Sequence, residues 1–119
     1  MSDMEARIQL NLLLDFYGPL LTEHRQEVMR LYCEEDLSQQ EIADQLEITR
    51  QGVFDAINKA RKQLADYEEK LGLVERYMKL SGEAEKCLEA LSEVHPVPGE
   101  EPAMEKARQA LDNILRIER

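Results

Sequence analysis

LSQQEIADQLEITRQGVFDAINKARKQL, residues 37 to 64, holds two short amphipathic segments that meet at Leu46-Glu47-Ile48-Thr49. Ser38 and Glu41 have the spacing of a capping box, in which the serine hydroxyl accepts a backbone N–H at a helix start and the glutamate reaches back to the serine N–H. Ile42, Ala43 and Leu46 then share one face. After Glu47-Ile48, Thr49 can cap a second helix, where Val53, Ile57, Ala60 and Leu64 recur at steps of 4, 3 and 4, a single buried stripe.

Two helices that cross steeply need a small residue where their backbones approach and apolar residues on both sides of the turn. Ala43 supplies the first; Ile42, Leu46 and Ile48 frame the turn, and Val53 with Ile57 lock the second helix. This is the pattern of a helix-turn-helix, with Glu47 standing where such turns usually hold glycine. Opposite the buried stripe lie Gln51, Asp55, Asn58 and Lys62, flanked by Lys59.

If that helix enters a major groove, Arg50 can reach guanine, and Gln51 and Asn58 adenine, while Lys59, Arg61 and Lys62 meet phosphates. Asp55 can accept from cytosine but repels nearby phosphates. The Thr49 hydroxyl and the helix N-terminus can hold a further phosphate. The candidate nucleic-acid-binding set is therefore Thr49, Arg50, Gln51, Asp55, Asn58, Lys59, Arg61 and Lys62, against the alternative of an ordinary solvated face. Phe54 flanks the set, either stacking outward or buried against the first helix of the chain.

Outward from this core, residues 4 to 17 read as a helix whose apolar residues, Ile8 to Tyr17, cover more than one face, which implies burial from more than one side. Gly18-Pro19 ends it. Thr22 can cap a helix from Glu23 to about Glu35, stopped by Glu34-Glu35-Asp36, whose charges are unfavourable at a helix C-terminus. Past the motif, Leu64, Tyr67, Leu71, Val74 and Met78 continue the apolar spacing, so the fourth helix is expected to run on, with Gly72 or Ser81-Gly82 able to kink or divide it. Glu83 to Glu93 is helical, HPVPGEE breaks the chain, and Ala103 to Ile117 resumes a helix. The expected organisation is a helix-turn-helix domain over 1–71 and a C-terminal helical extension over 72–119, a candidate dimerisation region.

The 119 residues suit one modest domain with an appendage. With 43% apolar residues, little glycine and no Trp, the composition favours helices. No apolar run approaches the roughly 20 residues that span a bilayer, and MSDMEARIQL carries acids where a signal peptide would carry bases, so a cytoplasmic protein is expected. Cys33 and Cys87 lack zinc or disulfide spacing and read as small apolar side chains; His24 and His95 are isolated and read as surface residues. Nothing pairs a nucleophile with a base or cradles a phosphate, so neither an enzyme nor a cofactor or metal site is expected. A net charge of −10 excludes indiscriminate polyanion binding, yet between Thr49 and Leu64 the bases Arg50, Lys59, Arg61 and Lys62 face only Asp55.

LLDFYGPLLTEHRQEVMRLYCEEDLSQQEIADQLEITRQGVFDAINKARKQLADYEEKLGL resembles the YlxM family of small bacterial proteins, through the successive blocks DFYGPLLT, LYCEEDLSQQEIA, TRQGVFDAI and DYEEKLGL over roughly residues 10 to 75. The chain from about residue 80 lies beyond these blocks. The resemblance implies an all-α bundle similar to region 4 of sigma factors, of the winged-helix/homeodomain-like class. It also implies a cytosolic regulatory protein associated with the signal recognition particle pathway.

Two functions follow as expectations. The first is a regulatory DNA-binding protein. The other is an adaptor of signal recognition particle components, whose acidic surface meets basic RNA-binding partners without binding DNA. A lone helix-turn-helix makes few base contacts, so a homodimer is expected, joined through the stripe from Leu64 to Met78 and the first helix, unless the tail helices fold back over both.

Overall fold

The computed structural model describes residues 3–117. Among the described residues six α-helices follow one another: α1 (Asp3–Tyr17), α2 (Glu23–Cys33), α3 (Gln39–Leu46), α4 (Arg50–Leu71), α5 (Leu73–Ser92) and α6 (Glu101–Ile117), with a 3-10 turn at Gly18–Leu20. There is no strand among the described residues, and the fold is all-α. The chain divides into two compact units, Met1–Gly72 and Leu73–Arg119.

In the first unit, side-chain hydroxyls fix three helix starts. Thr22 accepts from the Arg25 N–H at 3.2 Å, Ser38 from Glu41 at 3.1 Å and Thr49 from Gly52 at 2.9 Å. The Ser38 box is complete, since the Ser38 N–H donates to Glu41 Oε1 at 2.9 Å. α2 stops at Cys33 rather than Glu35: Asp36 turns left-handed (φ 56°) and the Leu37 N–H returns to the Leu31 carbonyl at 3.1 Å. The Arg7 guanidinium of α1 reaches the Asp36 carboxylate at 2.7 Å.

α1, α2 and α3 all pack on α4. Val28, Met29, Ile42, Val53, Ala60 and Leu64 are sealed at its centre; each large aliphatic side chain so buried contributes about 1.5–3 kcal/mol. Tyr17 is fully buried, its ring stacked on Tyr67 at 5.9 Å and its hydroxyl donating to Glu68 Oε1 at 2.6 Å. The apolar spread of α1 is used as expected in part: Leu12 is buried, Leu10, Leu13, Leu14 and Phe16 are half-buried, and Ile8 stays exposed.

Two expectations need correction. The fourth helix runs past the motif only as far as Leu71, and of the two expected breaks Gly72 is the one that divides the stripe: it takes a left-handed conformation (φ 62°, ψ 26°) that closes α4 through its N–H to the Glu68 carbonyl, and α5 begins at Leu73. Ser81-Gly82 divides nothing and lies inside α5, which starts ten residues before Glu83. Nor is the stripe from Leu64 to Met78 one free seam, because Leu64 is fully buried and Tyr67 is stacked within the first unit. Cys33 is half-buried as a small side chain would be, whereas Cys87 is exposed; both histidines are exposed.

The second unit is a helical hairpin. α6 packs on α5, and it runs back along it, because Arg108 in the first half of α6 still lies beside Leu91 near the end of α5. Arg108 Nη2 donates to the Leu91 carbonyl at 2.9 Å across the pair.

Candidate nucleic-acid interface

α4 carries the candidate surface, and its N-terminal turn is built for exposure. Thr49 is extended (φ −75°, ψ 154°) and its hydroxyl oxygen accepts the Gly52 N–H. Gly52 itself has a steric reason: a Cβ there would stand 3.1 Å from the Thr49 hydroxyl oxygen, so a side chain would crowd the cap. The sequence reading passed over Gly52; a glycine three residues after a capping threonine was its signal.

The turn before α4 explains the missing glycine. Glu47 adopts φ 57° and ψ 43°, the left-handed conformation that glycine takes freely, and the Ile48 N–H returns to the Ala43 carbonyl at 3.0 Å. The chain therefore makes the sharp turn with a glutamate and bears a strain of about 1–2 kcal/mol. With α3 docked on α4 through buried Ile42 and Ala43, Arg50 and Gln51 open the second helix at the surface.

All eight candidate residues are exposed. At about 100° per residue, Gln51, Asp55, Asn58 and Lys62 fall within an arc of about 60°, with Lys59 beside it. Gln51 Nε2 donates to Asp55 Oδ1 at 3.0 Å, so the one carboxylate of the strip is tied to a neighbouring amide. Arg50, Phe54 and Arg61 form the opposite flank. Arg61 is drawn from the strip toward α2: its guanidinium lies 5.8 Å over the Tyr32 ring and donates to the Tyr32 hydroxyl at 3.4 Å. There it borders a groove of about 310 Å³ shared with Arg7, Leu10, Leu13 and Cys33, where burial pushes the Cys33 thiol up despite both guanidinium groups.

Phe54 is 46% exposed and lines a shallow recess with Gln39, Arg50 and Gln51, which places it outward rather than against α1. Farther down α4 the same line passes to Asp66 and Glu69, so the polar, basic part of the face ends near Lys62. From Arg50 to Lys62 it runs about 18 Å. A bridge of Arg25 to Gln63 Oε1 (2.8 Å) and Gln63 to the Tyr67 hydroxyl (3.1 Å) fixes α2 to α4 just behind that end.

A capped short helix, a sharp left-handed turn and a longer helix with one buried and one solvent-facing side make this a helix-turn-helix protein. The UPF0122 family model, described as "Putative helix-turn-helix protein, YlxM / p13 like", matches residues 4–96. The chain belongs to this family. It is 43% identical to a UPF0122 protein of Desulforamulus reducens over 90% of this chain and 91% of that one, and 38% identical to one of Clostridium botulinum over 93% and 100%. A Clostridium acetobutylicum relative is 53% identical over 62% of this chain and 64% of its own. The family match extends beyond the blocks read from the sequence and takes in the whole of α5. No described helix is long and apolar enough to cross a membrane.

Proposed function

We propose that this chain is a cytoplasmic regulatory protein that binds DNA through the N-terminal half of α4, in the manner of sigma factor region 4. The observation that carries this reading is the strip of Gln51, Asn58, Lys59 and Lys62, which no element of the first unit covers and which follows the threonine-capped, exposed helix start. Arg50 and Gln51 reach base edges, Lys59 and Lys62 meet phosphates, and the first N–H groups of α4 with the Thr49 hydroxyl hold a phosphate of their own. Asp55, tied to Gln51, restrains binding to sites that offer it a cytosine amine. Arg61, held at Tyr32, adds positive potential from the flank.

Two copies acting together supply the two half-site contacts that tight binding needs against a net charge of −10. The second reading, an adaptor for signal recognition particle components, draws on that same acidic surface and on the exposed ring of Phe54. Salt dependence separates the two. DNA affinity should fall steeply with salt, and Lys59→Ala with Lys62→Ala should flatten the logarithmic slope by about 2 units, while Arg61→Ala alone changes it less. Duplex-pool selection that returns no enriched sequence, together with no DNA affinity at low salt, would hand the function to the adaptor.

A further inference from the structure

The second unit has an unused face. In α6, Ala103, Ala107, Ala110 and Ile114 are exposed at steps of 4, 3 and 4, the spacing of a helix–helix seam, and Ile114 keeps 40% of its surface. In α5, Leu80 and Cys87 are exposed one heptad apart, Leu80 at 45%. These rows are not the seam between the two helices: α5 turns Ala84, Leu88 and Leu91 inward, and α6 turns Met104, Arg108, Leu111 and Leu115 inward, all of them buried or half-buried.

On each helix the exposed row sits at lower angle than the inward row, by roughly 50° in α5 and roughly 100° in α6. Antiparallel helices count their residues in opposite rotational senses, so two rows displaced this way emerge on the same side of the hairpin. The result is a mainly apolar face across both helices, bordered on α5 by the exposed Arg76 one turn before Leu80. Its chemistry suits close approach: alanines let backbones meet, and all three acids of α6 within the described helix, Glu101, Glu105 and Asp112, lie on its far side. Lys106 and Asn113 border the row instead. The nearest acid of α5, Glu83, is matched by Lys86 at 3.3 Å.

We propose that this face receives the same face of a second copy, joining two α5–α6 hairpins into a four-helix bundle. Two helices side by side, about 26 Å long and about 10 Å wide each, present about 500 Å² per copy and about 1,000 Å² in all, the size at which a specific interface begins. A hairpin of two helices can bury only one seam; pairing with its copy supplies the second layer that a helical core requires. The segregation of acid away from the face permits this in a chain whose charge of −10 otherwise opposes self-association. The proposal rests on the two-copy reading above and gives it an interface within the second unit.

The mass of the full chain at micromolar concentration tests it, by sedimentation equilibrium. Wild type is expected at twice 13.8 kDa, Ala110→Glu and Leu80→Glu each at half that mass, and Asp112→Lys, on the back of α6, unchanged from wild type. Alkylation of Cys87 in a Cys33→Ser background should slow by about tenfold or more as wild type passes into the dimer range. Ala110→Glu should abolish that protection. Both substituted positions are exposed in the single chain, and circular dichroism reports whether helix is kept; if one variant loses it, the other variant and the Cys87 protection decide. A wild-type mass of 13.8 kDa would overturn this inference and the two-copy reading together. A doubled mass that neither glutamate lowers, with Cys87 unprotected, would overturn this interface alone.

Discussion

The two units of the chain use apolar residues in opposite ways. Among the described residues, thirteen of the fifteen buried apolar side chains belong to Met1–Gly72, and Leu73–Arg119 holds only Val74 and Ala84. Yet the second unit keeps Leu73, Met78, Leu80 and Ile114 exposed. Helix number accounts for the difference. α4 is covered by α1, α2 and α3, so a stripe along it is enclosed from several sides, whereas a two-helix hairpin encloses one seam and leaves the rest in water. Both units leave some large apolar side chains in water, Ile8, Leu20 and Leu71 among them in the first, but only the first encloses a many-sided core behind its polar strip.

The sharpest way to break this contrast is to delete equivalent bulk from each unit. Leu64→Ala removes a side chain with no exposed surface and leaves a cavity among α4 and its neighbours. It should lower the unfolding free energy by about 2–5 kcal/mol. Ile114→Ala, at a position 40% exposed, should cost about 0.5 kcal/mol or less in the monomeric range. Urea unfolding read at low protein concentration checks both. A cost above about 2 kcal/mol for Ile114→Ala would mean that the second unit holds a core of its own.

A smaller effect, of opposite sign, tests the turn of the recognition motif. Glu47→Gly replaces a strained left-handed glutamate by the residue that takes φ 57° without cost. The relief of about 1–2 kcal/mol exceeds the extra freedom glycine gives the unfolded chain, so the thermal midpoint should rise, by the equivalent of about 0.5–1 kcal/mol. A fall would show that the Glu47 side chain contributes more than its backbone strain removes.

That turn also shows how far the sequence could be read. Caps and motif were legible because their signals are local: Ser38 with Glu41 and Thr49 with its helix act over three residues, and the stripe of Val53, Ile57, Ala60 and Leu64 repeats within one helix. The end of α4 was legible only as a choice between Gly72 and Ser81-Gly82, because apolar spacing from Leu64 through Met78 persists across the break that the left-handed Gly72 makes. Arg61 looked equivalent to Lys62 in sequence; only folding brings Tyr32, 29 residues away, beneath its guanidinium. Ala103 to Ile117 was legible only as a helix, since spacing alone cannot say which of its apolar residues a neighbour will cover.

The smallest effect concerns the cap that starts the motif, and its sign is fixed by proton linkage. The Glu41 carboxyl is held below its ordinary value of 4.5, first by the Ser38 backbone N–H that it accepts and then by the Ser38 side chain. A lowered carboxyl binds its proton less readily folded than unfolded. Its stabilisation is therefore fully present above the unfolded value and is lost as pH falls through the lower folded one. Glu41→Gln keeps the shape and an oxygen acceptor for the Ser38 N–H but does not titrate in this range. Wild type should melt above the glutamine variant near pH 7, by a small margin, and the two midpoints should converge as pH falls through the lowered carboxyl value. Glu27, lowered by its hydrogen bond to Arg30, titrates in both proteins and cancels in the difference. Thermal unfolding followed at several pH values on the pair reads this directly. A gap that stays constant from neutral to acid pH would show that the cap acts through geometry alone, with no contribution from the carboxylate charge at the start of α3.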